Sequence, residues 1–415
     1  MASTNPVLTS LTAWVKQDPN LFYTSAVLGS KTAQLIKSNG NVMVGVKNAE
    51  TINLIDTDSV WQAGTGAGAG CGWNASGTTT VTQRTVTVGR VKIMEAICPA
   101  LLESYFTSQA MIEGSKYENS NDLGQALIDK YLEKKALLTK SQVELALWQG
   151  DTDSGTAYLS KWDGLIKLVK ATNTAILSNA RLGTGTITAA STGSTAVSGT
   201  SSLFTSQVSA GDKLYSYNGT TTSTLIGTVS SVTTATAIVL VATAAATCSA
   251  TAYYIVPAGV DHFSTPISAT VGITTSNVIT ILQGVYDRIP AKLLDKEDLT
   301  IFVGMDVFRK YQYALTAANL FHVMPQGAVL DSMKFYGTNV TLQAVQGLND
   351  TNEIYALRTS NLFMAVDMMD EEETYDFFWA KENQEFRYVA AFKCGINFAF
   401  PDEITRFQLV AGTLA

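Results

Sequence analysis

From Phe386 to Phe400 every even-numbered position is apolar (Phe386, Tyr388, Ala390, Phe392, Cys394, Ile396, Phe398 and Phe400), while Glu385, Arg387, Lys393 and Asn397 stand between them. A period of two is the pattern of a β-strand with one buried face. At about 3.3 Å per residue such a run spans on the order of 50 Å, whereas ordinary strands have roughly five or six residues. An element this long constrains everything around it. It suits a thin, plate-like subunit that reaches from one neighbour to another, and few compact enzymes have a use for it. The chain is therefore expected to be a building block.

With 415 residues the chain can bury a sizeable core and is expected to contain two or three structural units. Charged residues make up 15% and hydrophobic ones 46%, a globular balance, and no run of eighteen apolar residues is present to cross a bilayer. Met1 to Asp18 lacks the basic patch and apolar stretch of a secretory signal, which predicts synthesis and folding in a cytoplasm. A net charge of −7 leaves no overall basic footprint for nucleic acid, so any contact with DNA is expected to be loose. Cys71, Cys98, Cys248 and Cys394 are far apart and form no Cys-x-x-Cys pair, which argues against a zinc site or a disulfide framework. Cys394 falls on the apolar face of the long strand, where it reads as a small buried hydrophobe.

Along the chain, residues 1 to about 50 are polar and mixed, with a helical patch around Ala26 to Ile36, and read as an extended arm. Ile52 to Val60 and Val81 to Met94 are strand-like and are separated by Gly64, Gly66, Gly68, Gly70, Gly72 and Gly77, the pattern of a long hairpin with a glycine tip. Its returning arm has few large apolar residues and is expected to rest on a partner. Asn121 caps a predicted helix running to about Trp148, roughly 40 Å long, with Leu123, Leu127, Tyr131, Leu138 and Leu145 on its apolar turns. A second helix is expected from Trp162 to about Ser178.

Composition changes abruptly after Leu182: from Gly183 to Pro257 the only charged residues are Asp212 and Lys213. Short alternating runs at 184–189, 213–217, 225–232, 237–241 and 252–256 predict a small all-β sandwich or barrel, with Asn218-Gly219 as a hairpin turn. Mixed helix and strand sequence resumes on both sides, so this module is expected to be an insertion. Beyond it the pattern predicts a helix over 277–294, a buried strand over 299–304, a helix over 305–317, three short strands within 335–366 and a strand over 377–381.

Catalytic patterns are weak. His262 and His322 are the only histidines, and neither stands beside a nucleophile signature. Gly64-Thr-Gly-Ala-Gly-Ala matches a dinucleotide-binding pattern by letters, but no helix start follows it to hold a phosphate, so it reads as a hairpin tip. Asp367, Asp370, Glu371, Glu372, Glu373 and Asp376 lack calcium-loop spacing and read as a solvated turn facing a neighbour's basic patch. No catalytic residue, metal or cofactor is expected. The candidate contact residues are Arg84, Arg90 and Lys92 on the returning arm, pairing with Asp370, Glu371 and Glu372 of another subunit.

The order of arm, long glycine-tipped hairpin, spine helix, mixed domain and very long final strand resembles that of tailed-bacteriophage major capsid proteins of the Hong Kong ninety-seven fold. Its most specific local pieces are Leu299-Thr-Ile-Phe-Val-Gly-Met-Asp-Val-Phe-Arg-Lys-Tyr, similar to the strand-then-helix of the family's axial domain, and Asn361-Leu-Phe-Met-Ala-Val-Asp, similar to the strand entering its final sheet; Trp162-Asp-Gly-Leu also matches. The resemblance implies an α+β capsid fold divided as follows: an N-terminal arm at 1–49, an extended loop at 50–95, a peripheral domain with spine helix at 96–182, an inserted β domain at 183–257, an axial domain at 258–350, and peripheral-domain strands at 351–415. It further implies a homo-oligomer of pentamers and hexamers forming an icosahedral head around double-stranded DNA, assembled in a bacterial cytoplasm with a scaffolding protein, a portal and decoration proteins.

Two rival readings are separable by experiment. An encapsulin-like compartment shares the fold but encloses cargo enzymes, so extracting nucleic acid from purified particles distinguishes it. An extracellular carbohydrate-binding adhesin or glycosidase, suggested by the threonine-rich module, would stay monomeric or trimeric and bind glycans.

Overall fold

The computed structural model describes residues 30–57, 60–61, 77–97, 121–172, 176–178, 181–190, 192–217, 223–258, 273–318, 331–367, 375–380, 382–383 and 385–408. They group into two compact units, one from residues 1–168 and 360–399, the other from residues 169–359 and 400–415.

In the first unit the long alternating run forms one strand, Glu385–Phe398. On one side it pairs antiparallel with Gly89–Ile97; on the other it pairs with Tyr375–Ala380 along its first half and Leu362–Asp367 along its second. Val42–Val44 adds a parallel edge to Leu362–Asp367. The even-numbered side chains from Tyr388 to Phe398 are buried, as the alternation requires, but the odd-numbered Gly395 and Asn397 are buried as well. Phe400 lies past the strand and is exposed, because Pro401 opens a 3-10 turn there.

The predicted spine is a single helix, Asn121–Gln149, of 29 residues, which is about 43 Å long. Leu138, expected on its apolar face, is exposed, and the buried positions of its last turns are Val143, Glu144, Ala146, Leu147 and Trp148. Glu144 is buried for a specific reason. It accepts the backbone N–H of Thr32 (3.0 Å) at the start of the helix Lys31–Ser38, and it also accepts the Thr32 hydroxyl, which itself takes the indole N–H of Trp148 (2.8 Å). Burial pushes the Glu144 carboxyl upward against these hydrogen bonds, and the positive end of the short helix partly offsets the desolvated charge.

The second predicted helix is shorter than expected. It covers Leu165–Ala171 and gives way to a strand at Ile176–Leu177. Glycine explains the sharp passage between the helices. Gly164 donates its N–H to the Gly150 carbonyl (2.8 Å), and a Cβ on Gly164 would lie 2.6 Å from the Gly150 nitrogen. The Trp162-Asp-Gly-Leu segment thus closes a loop. Trp162 and Leu165 are buried, while Asp163 accepts the backbone N–H of Thr152 (3.0 Å) and, with Asp151 and Asp153, surrounds the ammonium of Lys167.

In the second unit a six-stranded sheet runs in the order Ser332–Lys334, Thr341–Val345, Leu299–Gly304, Glu353–Arg358, Thr405–Gln408, Ile176–Leu177. Leu299–Gly304 is buried at every position, in keeping with its mostly apolar sequence, in which Thr300 is the one polar side chain. Helices Val278–Asp287 and Met305–Ala317 pack on this sheet through Ile281, Leu282, Val285, Val307, Phe308, Tyr311 and Leu315. The helix expected over 277–294 ends early, and Ala291–Leu293 forms a separate 3-10 turn after Pro290. Asn349 supplies the missing cap of Met305–Ala317 by accepting the Met305 N–H (2.7 Å).

The low-charge stretch forms its own sheet. Its strands include Thr186–Ala189, Ala196–Thr200, Lys213–Tyr217, Ser223–Thr234, Ala237–Leu240 and Cys248–Val256, and Cys248–Val256 pairs with both Thr186–Ala189 and Lys213–Tyr217, so the strands close on themselves as a barrel. Ile187, Val197, Phe204, Leu214, Ile226, Ile238, Leu240, Tyr253 and Ile255 fill it. Sequence reading missed Ala196–Thr200, since Ala-Val-Ser-Gly-Thr offers a single large apolar residue. Asp212 staples the exit of the barrel, accepting the N–H of Ser209 (2.9 Å) with one oxygen and that of Ala258 (3.1 Å) with the other. A fragment of residues 181–258 is accordingly expected to unfold in one cooperative thermal transition and to give dispersed methyl resonances. A fragment with random-coil spectra would refute this self-sufficiency.

Candidate assembly interface

The hairpin expected between residues 50 and 95 has its two arms at Ala49–Thr57 and Thr79–Thr87, in unbroken antiparallel register from Ala49 opposite Thr87 to Thr57 opposite Thr79. The returning arm, expected as one strand to Met94, is broken at Val88. Beyond it Gly89–Ile97 leaves the hairpin and runs beside the long strand, from Cys394 opposite Gly89 to Phe386 opposite Ile97. Much of the arm that had too few apolar residues to be buried alone is therefore held by a ladder within its own chain.

The hairpin is buried at its base and exposed further out. Ile52, Leu54, Val86 and Val88 pack with Val46, Ala365 and Ala399, and Phe363 joins this cluster. One step along, the alternation turns over: Ile55 and Val81, directly opposite each other in the ladder, are each 64% exposed. Trp61 is 92% exposed. Exposed apolar groups gathered on one projecting element mark a protein contact more strongly than scattered ones do.

The sequence-predicted contact residues fall as follows. Arg84 lies over the ring of Phe398 of its own chain, 4.3 Å from the ring centroid, and burial lowers its pKa. Arg90 and Lys92 are exposed on the strand Gly89–Ile97, opposite Lys393 and Ala391. Lys393 holds Asp367, the first residue of the acidic run, at 2.8 Å. One row of the sheet thus brings Arg90, Lys393 and Asp367 together across three strands. Asp370, Glu371 and Glu372 lie outside the described residues, as do His262, His322, Cys71, Cys98, the glycine-rich tip and the Asn218-Gly219 turn. Cys394 is buried, and burial pushes its thiol up to about 12, so it stays a protonated, inert packing group at neutral pH.

Three positions that matter to this region were not singled out by the sequence reading. Gly89 passes so close to the 150–164 loop that a Cβ would lie 1.8 Å from the Lys161 carbonyl oxygen. Gly395 approaches the hairpin just as closely, with a Cβ position 2.1 Å from the Thr87 carbonyl oxygen. Asn397 donates from its amide nitrogen to the Thr85 carbonyl (2.7 Å). The available signal was that, after Lys393, the odd-numbered side of the long strand carries the small Gly395 and the uncharged, polar Asn397.

Among the described residues no group of three His, Cys, Asp or Glu side chains is placed to hold a metal ion, and no helix is long and apolar enough to cross a membrane.

No protein-family model matches the chain, and no curated protein matches it. Solved structures similar to it include a chain of the satellite phage P4 procapsid including size determination (Sid) protein, with 8% identity, coverage of 96% of this chain and 91% of that one, and a TM-score of 0.48. A chain of Gordonia phage Cozz has 8% identity, coverage of 91% and 86%, and a TM-score of 0.44. A chain of the capsid of a native GTA particle has 10% identity, coverage of 93% and 91%, and a TM-score of 0.40.

Proposed function

We propose that the chain is a non-enzymatic shell subunit, a major capsid protein of the Hong Kong ninety-seven type, that assembles into pentamers and hexamers of an icosahedral tailed-phage head around double-stranded DNA. The observation that carries this reading is the hairpin, whose base is buried in its own chain while Ile55, Val81 and Trp61 are presented to solvent beyond it. Such a limb gains its remaining burial from another copy, and a head-to-tail contact of that kind closes into rings. The long helix and long strand give the subunit the rigid elements such a contact needs. In this reading residues 1–49 are the N-terminal arm, 50–95 the extended loop, 96–182 with 351–415 the peripheral domain, 258–350 the axial domain and 183–257 an inserted domain. Scaffolding, portal and decoration proteins are its partners in the head, assembly takes place in the host bacterial cytoplasm, and the acidic chain contacts packaged DNA without sequence recognition. Arg90 and Lys92 face the acidic run of a neighbouring subunit, Asp370 to Glu372, across the contact.

Analytical ultracentrifugation and electron microscopy of the full chain, alone and with a co-expressed scaffold, test the reading. Concentration-dependent closed shells are expected. A compact, protease-resistant monomer at every concentration overturns the proposal.

A further inference from the structure

We propose that the subunit aims its own hairpin before any neighbour arrives, with Asn397 and Gly395 as the positioning residues. The proposal rests on the shell reading for its purpose but not for its geometry. The hairpin arm Thr79–Thr87 and the sheet strand Gly89–Ile97 are one stretch of chain that changes partner at Val88, while the other arm, Ala49–Thr57, follows Val42–Val44 at the edge of the same sheet. A two-stranded ribbon joined to a body only at its two feet swings unless its length is braced against that body.

Beside the buried base cluster and the stacking of Arg84 on Phe398, three contacts to its backbone brace it. At the elbow, the Val88 N–H donates to the Asn48 carbonyl (2.9 Å), locking the two arms together. Beyond it, Asn397 reaches out from the long strand to the Thr85 carbonyl. Its amide cannot turn over, because its oxygen accepts the Phe398 N–H (2.8 Å), and the flipped form would set two oxygens against each other at Thr85. Between them, Gly395 lets the Thr87 carbonyl sit against the long strand at backbone contact, a distance no side chain there would permit.

Asn397 is buried on a face of the strand that alternation would otherwise leave to polar, exposed residues, and it is the hairpin that covers it. The bracing ends at Leu54 and Thr85, while the exposed Ile55 and Val81 come after. The braced part and the presented part are thus distinct, and the presented part arrives with its direction already set. Ordering it beforehand removes that entropic cost from the association step.

The test is a distance distribution in the full-length, dissociated subunit, measured by double electron–electron resonance between labels on p-acetylphenylalanine placed at the exposed positions Thr82 and Gln142. A narrow single distance is expected. Asn397→Asp keeps the acceptor for Phe398 and loses the donor to Thr85, so it is expected to broaden the distribution and slow shell assembly at least tenfold while leaving the urea midpoint of the body near that of the parent. Should Asn397→Asp fail to fold, Gly395→Ala carries the same test by pushing the Thr87 carbonyl away. A broad distribution in the parent, or one in the variant as narrow as the parent's, overturns the proposal. A narrow parent and a broad variant with no shells from either leave the hairpin's aim standing and remove the shell reading instead.

Discussion

A subunit carrying Ile55→Lys and Val81→Glu should fold normally and form no shells. The two positions oppose each other in the hairpin ladder and both are exposed, so the introduced charges pair across the strands and leave the hairpin intact. Exposed substitutions of this kind change the stability of the isolated subunit by less than about 0.5 kcal/mol. The contact with a neighbour suffers far more. Full burial of each aliphatic side chain contributes roughly 1.5–3 kcal/mol, and with each 64% exposed in the subunit, losing the burial of both costs about 3 kcal/mol per contact, on the order of a hundredfold in its equilibrium constant. That loss recurs at every hairpin in a closed particle. Sedimentation velocity and negative-stain microscopy under conditions where the parent assembles would read it directly. Normal particles from the double variant would show that this pair is not the covered surface.

The second large effect belongs to the body rather than the interface. Gly89→Ala should destabilise the dissociated subunit by about 3 kcal/mol in urea unfolding. The added Cβ would lie 1.8 Å from the Lys161 oxygen and 2.6 Å from its carbonyl carbon, both backbone atoms that cannot rotate aside. Retreat is blocked on both sides. The strand is committed to its ladder with Glu385–Phe398, and the loop bearing Lys161 is tied by the Gly150–Gly164 hydrogen bond and by buried Trp162. Gly45 provides the contrast: its φ of +81° makes a side chain unwelcome, but nothing lies within 4 Å of the added atom. Gly45→Ala should cost only about 1 kcal/mol. Equal effects from the two variants would mean that the close approach at Gly89 is relieved by movements of the loop.

Much of the fold was legible because its signals are local. The alternation at 386–398, the mostly apolar run at 299–304 and the helix after it at 305–317 each specify an element by local pattern alone, and each is present with nearly the expected bounds. The low-charge stretch announced a β module, although Ala196–Thr200, with its single valine, carried no readable pattern and is recruited by its neighbours on either side. What sequence could not convey was the change of partner at Val88. Val81 to Met94 has the composition of one continuous strand, and only the tertiary fit of Gly89 against Lys161 and of Gly395 against Thr87 decides where one pairing ends and another begins. The same applies to Leu138, whose helical spacing suited an apolar stripe but whose side of the helix is exposed. The candidate site was half visible. The projecting hairpin could be read from its glycines, whereas the bracing by Asn397 depends on two segments more than three hundred residues apart in the chain.

One consequence follows from the clasp at Asp212. Its two oxygens fasten the outgoing chain at Ala258 to the barrel it has just left, so the barrel's integrity is settled within its own span. Substitutions in its surface turns are therefore expected to leave the sheet at 299–358 undisturbed.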